Sequence, residues 1–301
     1  MRTIAHLSDL HFGRLDRAIL PALIAAVEAA EPDVVAVCGD LTQRARRREF
    51  EDARKFLDNL PSPQIVVPGN HDVPLYNVVA RALRPLARYR RIISDDLEPF
   101  YADDEIAVAG VNTARSLTFD NGRINRRQVA GACARLAQCG AGVTRIIVTH
   151  HPFDAPDARG AHGILGRARM AMAAFAYHHV DLILSGHLHL GGVVESAARY
   201  DIPGRSLLLI QAGSAASTRL RGAANSFNLI HIERPRVAVE RLNWNRERGS
   251  FALAAIDEFQ LTPDGWGRIG ASPLSPTPAR ARPAICSRRG SPHSPWTTPI
   301  F

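Results

Sequence analysis

Aspartate, asparagine and histidine side chains bind metal ions and move protons, and in this 301-residue chain they gather where apolar runs end. Gln64-Ile65-Val66-Val67-Pro68 leads into Gly69-Asn70-His71-Asp72, three groups able to ligate, transfer a proton or orient a proton donor. The form recurs four times, as Ser8-Asp9-Leu10-His11, Gly39-Asp40, Thr149-His150 and Gly186-His187-Leu188-His189. Asp9 and His11 lie two residues apart, so extended backbone would turn both toward one ion. His187 and His189 share that spacing and chelate in the same way. Gly39 allows close backbone approach, and the two oxygens of Asp40 can bridge two cations. Each segment alone is an ordinary cap, turn or strand ending. Five together describe one metal site, and mixed Asp, Asn and His donors suit Mn, Fe, Zn or Co better than an all-oxygen Mg site.

Such a site needs strands to carry it. The runs at residues 3–7, 34–38, 64–68, 106–111, 144–148 and 181–185 read as strands, and residues 34–38 are apolar on both faces, as in a parallel or sandwiched strand. Residues 17–30, 46–60, 124–138 and 165–178 read as helices between them. After His189 only strands are expected, at residues 193–194, 206–211, 226–233 and 236–244. This pattern predicts an α/β chain with two packed sheets flanked by helices. His150 directly follows its strand, which favours it over His151 as the ligand. Residues 73–100, helical or irregular and rich in arginine, are expected to form a surface excursion near the site, while Asn112 and Arg115 follow a strand and could line the substrate side. A domain over residues 1–262 and a disordered Pro/Ser/Arg-rich tail over 263–301 complete the expected organisation.

Composition narrows the possible functions. A hydrophobic content of 46% supports a full core. The four cysteines show no zinc-finger spacing and no apolar leader follows Met1, so a reducing cytoplasm and free thiols are expected. No run is long enough to span a membrane. The net charge is +8, but five arginines and no acid fall in residues 265–301, leaving +3 for the rest. No basic run is interleaved with aromatics, which disfavours a nucleic-acid partner. Arg46-Arg47-Arg48 reads as a solvated helix start.

The order D-x-H, GD, GNHD, strand-end His and GHxH strongly resembles the calcineurin-like metallophosphoesterases, over roughly residues 1–245. The resemblance implies a four-layer α-β-β-α sandwich of two mixed sheets flanked by helices. It implies that Asp9, His11 and His189 bind one divalent ion, that Asn70, His150 and His187 bind a second, and that Asp40 bridges them. It further implies that His71 is the catalytic histidine with Asp72 as its orienting carboxylate. Within the family, the segments around Asp9 and Asn70 look most like the bacterial branch of class III cyclic-nucleotide phosphodiesterases and glycerophosphodiesterases. A small phosphodiester is therefore the expected substrate. Phosphomonoesterases, nucleotide pyrophosphatases, UDP-diacylglucosamine hydrolases and nucleases share the same ligands, as alternatives. A non-catalytic scaffold would lack some of them. Several family members dimerise, so a homodimer is compatible with the resemblance.

Overall fold

The computed structural model describes residues 1–116, 120–154, 163–200, 205–218 and 223–273. The first sheet has seven strands in the order β13-β12-β11-β10-β1-β2-β3. They are β1 (Arg2–Leu7), β2 (Val34–Cys38), β3 (Gln64–Val67), β10 (Ser226–Glu233), β11 (Arg236–Asn245), β12 (Ser250–Thr262) and β13 (Gly265–Pro273). The second has six in the order β4-β5-β6-β7-β9-β8. These are β4 (Phe100–Ala102), β5 (Ile106–Gly110), β6 (Thr144–Val148), β7 (Leu182–Ser185), β8 (Gly192–Glu195) and β9 (Leu208–Gln211). Strands β1, β2 and β3 run parallel, as do β5, β6, β7 and β9, so their C-terminal ends lie at one edge of each sheet.

Period-two alternation explains the layering. Ile4, Ala36, Ile65 and Val67 of the first sheet face Val108, Ile146, Leu184 and Ile210 of the second in one buried cluster between the sheets. Their neighbours Ala5, Val35, Val37 and Val66 point outward, onto helices α1 (Ile19–Ala29), α2 (Arg47–Leu57) and α4 (Ala87–Ile92). On the other side Ala107, Ile147, Ile183 and Leu209 pack on α5 (Arg126–Ala137) and α6 (Ala168–Tyr177). The result is helices, sheet, sheet and helices, the architecture expected from the sequence. Both inner strand sets are apolar on both faces because each sheet is covered twice.

Three features depart from the sequence reading. The excursion after the third strand, helical in α3 (Val78–Leu83) and α4, is partly core rather than surface alone. Tyr89 is fully buried and its hydroxyl donates to the Val66 carbonyl at 2.9 Å. Strand β12, the longest of the described strands, was not anticipated, and β13 lies within the stretch expected to be disordered from residue 263. Trp266 supplies the reason: it is buried against the inter-sheet core and its indole N–H donates to Asp181 at 3.0 Å. The remainder of the predicted tail, 274–301, lies outside the described residues. Among the described residues no helix is long and apolar enough to cross a membrane.

Candidate metal centre

The five donor segments come together where the parallel strands of both sheets end. Asp9 and His11 follow β1, Asp40 follows β2, and Asn70 and His71 open a 3-10 turn after β3. The second sheet contributes His150 after β6 and His187 and His189 after β7. One cluster holds Asp9, His11 and His189: Asp9 Oδ1 lies 3.5 Å from His11 Nε2 and 3.5 Å from His189 Nε2. In the other, His150 Nε2 lies 3.0 Å from Asn70 Oδ1 and 3.3 Å from His187 Nδ1. Asp40 stands between them, with Oδ1 3.4 Å from His150 Nε2 and Oδ2 3.7 Å from His11 Nε2.

The buried donors fit cations. Asp9, His11 and His150 are fully buried, yet Asp9 Oδ1 and His11 Nε2 have no hydrogen-bond partner. Buried polar atoms are left unpaired only where something else compensates them, and a metal is the group that both atoms accept. Burial alone would raise the Asp9 and Asp40 carboxyls. The neighbouring histidines, His189 and His11 at Asp9 and chiefly His150 at Asp40, hold both well below the usual carboxylate range. These carboxyls are therefore ionised, as ligands must be.

Backbone conformation marks the same residues. Asp9, His11, Asp40, His187 and His189 all have φ between 51° and 72°, in the left-handed region. That conformation costs on the order of 1–2 kcal/mol for a residue with a Cβ, and such strain concentrates at functional sites. Two glycines make room for the candidate donors: a Cβ on Gly69 would collide with Asp40 Oδ1, and one on Gly186 would collide with Ser8 Oγ and sit 2.8 Å from Asp9 Oδ2.

Groups around the candidate donors fix their orientation. Ser8 Oγ donates to Asp9 Oδ2 at 2.7 Å, the His187 backbone N–H donates to the same oxygen at 2.8 Å, and the His71 N–H donates to Asp40 Oδ1 at 2.8 Å. His150 Nδ1 donates to the Cys38 carbonyl at 2.6 Å, which turns Nε2 toward Asp40. Ser214 Oγ anchors the Asp9 carbonyl at 2.9 Å.

A model of the calcineurin-like phosphoesterases matches residues 2–191, which span all five segments. The chain belongs to this family. It is 28% identical over 162 residues to the glycerophosphodiester phosphodiesterase GpdQ of Enterobacter lignolyticus, a match covering 50% of this chain and 57% of that protein. A Synechococcus protein named as a probable cyclic nucleotide phosphodiesterase is 24% identical over 200 residues, 62% of this chain and 73% of the relative. Among solved structures, a dimetal phosphatase from Danio rerio superposes with a TM-score of 0.59 at 15% identity, over 84% of this chain and 98% of the other. A purple acid phosphatase from yellow lupin gives 0.62 at 10% identity, over 84% and 52%. At those identities the structural likeness concerns the fold.

Set in this calcineurin-like frame, the seven residues predicted as ligands converge, and a neighbouring histidine joins them. His151 lies in the same cluster as His150 and His187. Both its ring nitrogens are engaged, Nδ1 with Thr113 Oγ1 at 2.8 Å and Nε2 with the Asp120 carbonyl at 3.1 Å. The role expected for Asp72 is corrected. Its carboxylate accepts from the backbone N–H groups of Gly69, Leu41 and Thr42 and from the Thr42 hydroxyl, so it ties two strand-end loops together. The His71 ring is instead held by Nδ1 donating to the Gln43 carbonyl at 2.9 Å. An aspartate next in sequence points elsewhere because the 3-10 turn separates the two side chains. Asn112 and Arg115 are drawn into their own loop, Asn112 Oδ1 accepting from the Ala114 N–H at 2.9 Å and Arg115 donating to the Asn112 carbonyl at 3.3 Å and the Ala114 carbonyl at 3.0 Å. Both also line a cavity of about 480 Å³ with Leu83, Arg84, Leu86 and Leu97. Sequence reasoning missed Ser8, Gln43 and Ser214. Only Ser8, fixed beside a ligand, carried a local signal.

Proposed function

We propose that this protein is a metal-dependent phosphodiesterase that holds two divalent cations. The observation that carries the reading is Asp40, whose two oxygens each face a histidine of a different donor cluster. Asp9, His11 and His189 would hold one cation and Asn70, His150 and His187 the other, with Mn, Fe, Zn or Co as the candidates by donor type. Bound there, such cations supply Lewis acidity and charge compensation for an in-line displacement at phosphorus.

The chain's own part is positioning and proton transfer. With Nδ1 donating to the Gln43 carbonyl, His71 has Nε2 as the nitrogen for proton transfer to the departing oxygen. His71 is half-buried, whereas His11 and His150 are fully buried, and this greater access supports a place for it on the substrate side. Asn112 and Arg115, at the 480 Å³ cavity, are the candidates for contact with the alcohol portion of the substrate. Preference for a diester is supported by the names of the two sequence relatives, and the match to the first of them spans little more than half of that protein.

The test is hydrolysis of bis(p-nitrophenyl) phosphate beside p-nitrophenyl phosphate by metal-stripped protein resupplied with Mn²⁺. Faster, metal-restored release from the diester, lost in Asn70→Ala, is the expected result. A preference for the monoester would overturn the diester assignment, and metal-independent release would overturn the site.

A further inference from the structure

Helix α3 is built inside out. Tyr76, just before it, is 72% exposed, and Val78, Val79 and Leu83 on it are 72%, 68% and 77% exposed, while its one arginine, Arg81, is only 5% exposed. Arg81 donates to the Ser116 carbonyl at 2.6 Å and the Pro74 carbonyl at 3.1 Å, which pins the helix with its apolar side outward. These four account for half of the eight large exposed hydrophobic side chains among the described residues. Clustered on one short helix they form a patch, unlike singly scattered surface apolar residues.

The surroundings of that patch are cationic. Between Asp72 and Asp95 the chain carries five arginines and no acid, and residues 43–48 carry four more and no acid. The two stretches are joined in space: the Arg44 guanidinium lies over the Tyr76 ring at 5.0 Å, and Arg88 donates to the Ala45 carbonyl at 2.7 Å. Of the nine arginines only Arg81 is buried; Arg46, Arg47 and Arg90 pair with Glu49, Glu51 and Asp95, whereas Arg48, Arg84 and Arg91 form no ion pair among the described residues. A second copy seated on this face through a two-fold axis would bring arginine against arginine. Charge complementarity selects an anionic, apolar-backed partner instead.

We propose that α3 and its arginine surround are a docking surface for an anionic phospholipid bilayer, on which the protein lies without spanning it. Tyr76, Val78, Val79 and Leu83 enter the boundary between headgroups and acyl chains, and the surrounding guanidinium groups meet lipid phosphates. The helix starts seven residues after His71, so docking would bring the metal-ligating edge of the sheets close to the lipid headgroups.

Sedimentation of the full chain with vesicles tests this surface independently of any catalytic activity. Vesicles of phosphatidylcholine mixed with phosphatidylglycerol should bind at least about tenfold better than phosphatidylcholine alone, with the advantage lost at high salt. The double variant Val78→Asp/Val79→Asp should bind at least about tenfold more weakly with unchanged thermal unfolding, since both side chains are exposed. Equal binding by the double variant, which would assign attachment to another part of the chain, overturns the proposal. So does failure of the wild type to bind anionic vesicles at low salt. Sedimentation velocity showing a lipid-free dimer that Val78→Asp/Val79→Asp dissociates would overturn it in favour of a homodimer face.

Discussion

Asp40, His71 and Asn70 are adjacent in space but are proposed to act differently, and single substitutions test this. Asp40→Ala removes the carboxylate shared by both donor clusters and should abolish activity together with most bound metal, measured by elemental analysis after gel filtration. His71→Ala should lower kcat by about 10²–10⁴ while metal content stays at the wild-type level, because His71 is assigned proton transfer. Loss of metal in His71→Ala would make it a ligand instead. His6, between the sheets, makes a pH prediction. Burial without a charged partner pushes its pKa down to about 3, with Cys38 Sγ at 3.3 Å and Asn228 at 3.3 Å as neighbours. The unfolded chain takes up that proton near the ordinary histidine value and the folded chain does not, so stability falls as pH drops below about 6.5. The contribution is about 1.4 kcal/mol per pH unit, and urea titrations of His6→Gln at pH 6 and pH 5 should show a slope shallower by that amount. At this scale the gathering of the donor residues was legible in the sequence, because donor type and strand-end placement are local. The hydrogen-bond partners were not: Gln43, not Asp72, holds His71, and no local rule announces a bond across two loops.

The strands at whose ends the donors stand were legible because each is a short apolar run, and β2, β3 and β7 are closed by glycine or proline as well. Strand β12 was not, since Ser250–Thr262 mixes exposed and half-buried positions and has no clean alternation. Strand β13 follows for a longer-range reason. Asp181, buried at the start of β7, accepts from Trp266 Nε1 at 3.0 Å, from Arg234 Nη1 at 3.1 Å and from the Arg145 N–H at 2.9 Å. One carboxylate of the second sheet thus fastens two elements of the first. Asp181→Ala should destabilise the fold by about 3 kcal/mol, read by urea unfolding, because a buried indole N–H and a half-buried guanidinium lose their acceptor. Gly186→Ala acts on an element end in another way. Its Cβ would collide with Ser8 Oγ and come within 2.8 Å of Asp9 Oδ2, so the β7 loop must move away from β1. Metal affinity should fall by about 10–100-fold, as expected when an orienting contact is lost. An unchanged affinity by isothermal titration would show that the loop relaxes at no cost to the site.

Across the whole molecule, the donor set belongs to neither sheet. Asp9, His11, Asp40 and Asn70 come from the first and His150, His187 and His189 from the second, so bound cations would staple the two sheets at one edge while Asp181 fastens them at the other. Metal that binds only the folded chain adds about 2.7 kcal/mol at a free concentration about 100-fold above Kd. For a domain of this size that is a rise of about 5–10 °C in Tm. The two fastenings lie at opposite ends of β7 and share no residue, so their effects should add. Asp181→Ala should therefore start from a lower Tm in the metal-stripped state and gain the same increment from Mn²⁺ as the wild type, whereas Asp40→Ala should gain almost none. If Asp181→Ala also lost the increment, the sheets would not dock as independent edges, and the site would depend on packing through the whole inter-sheet core.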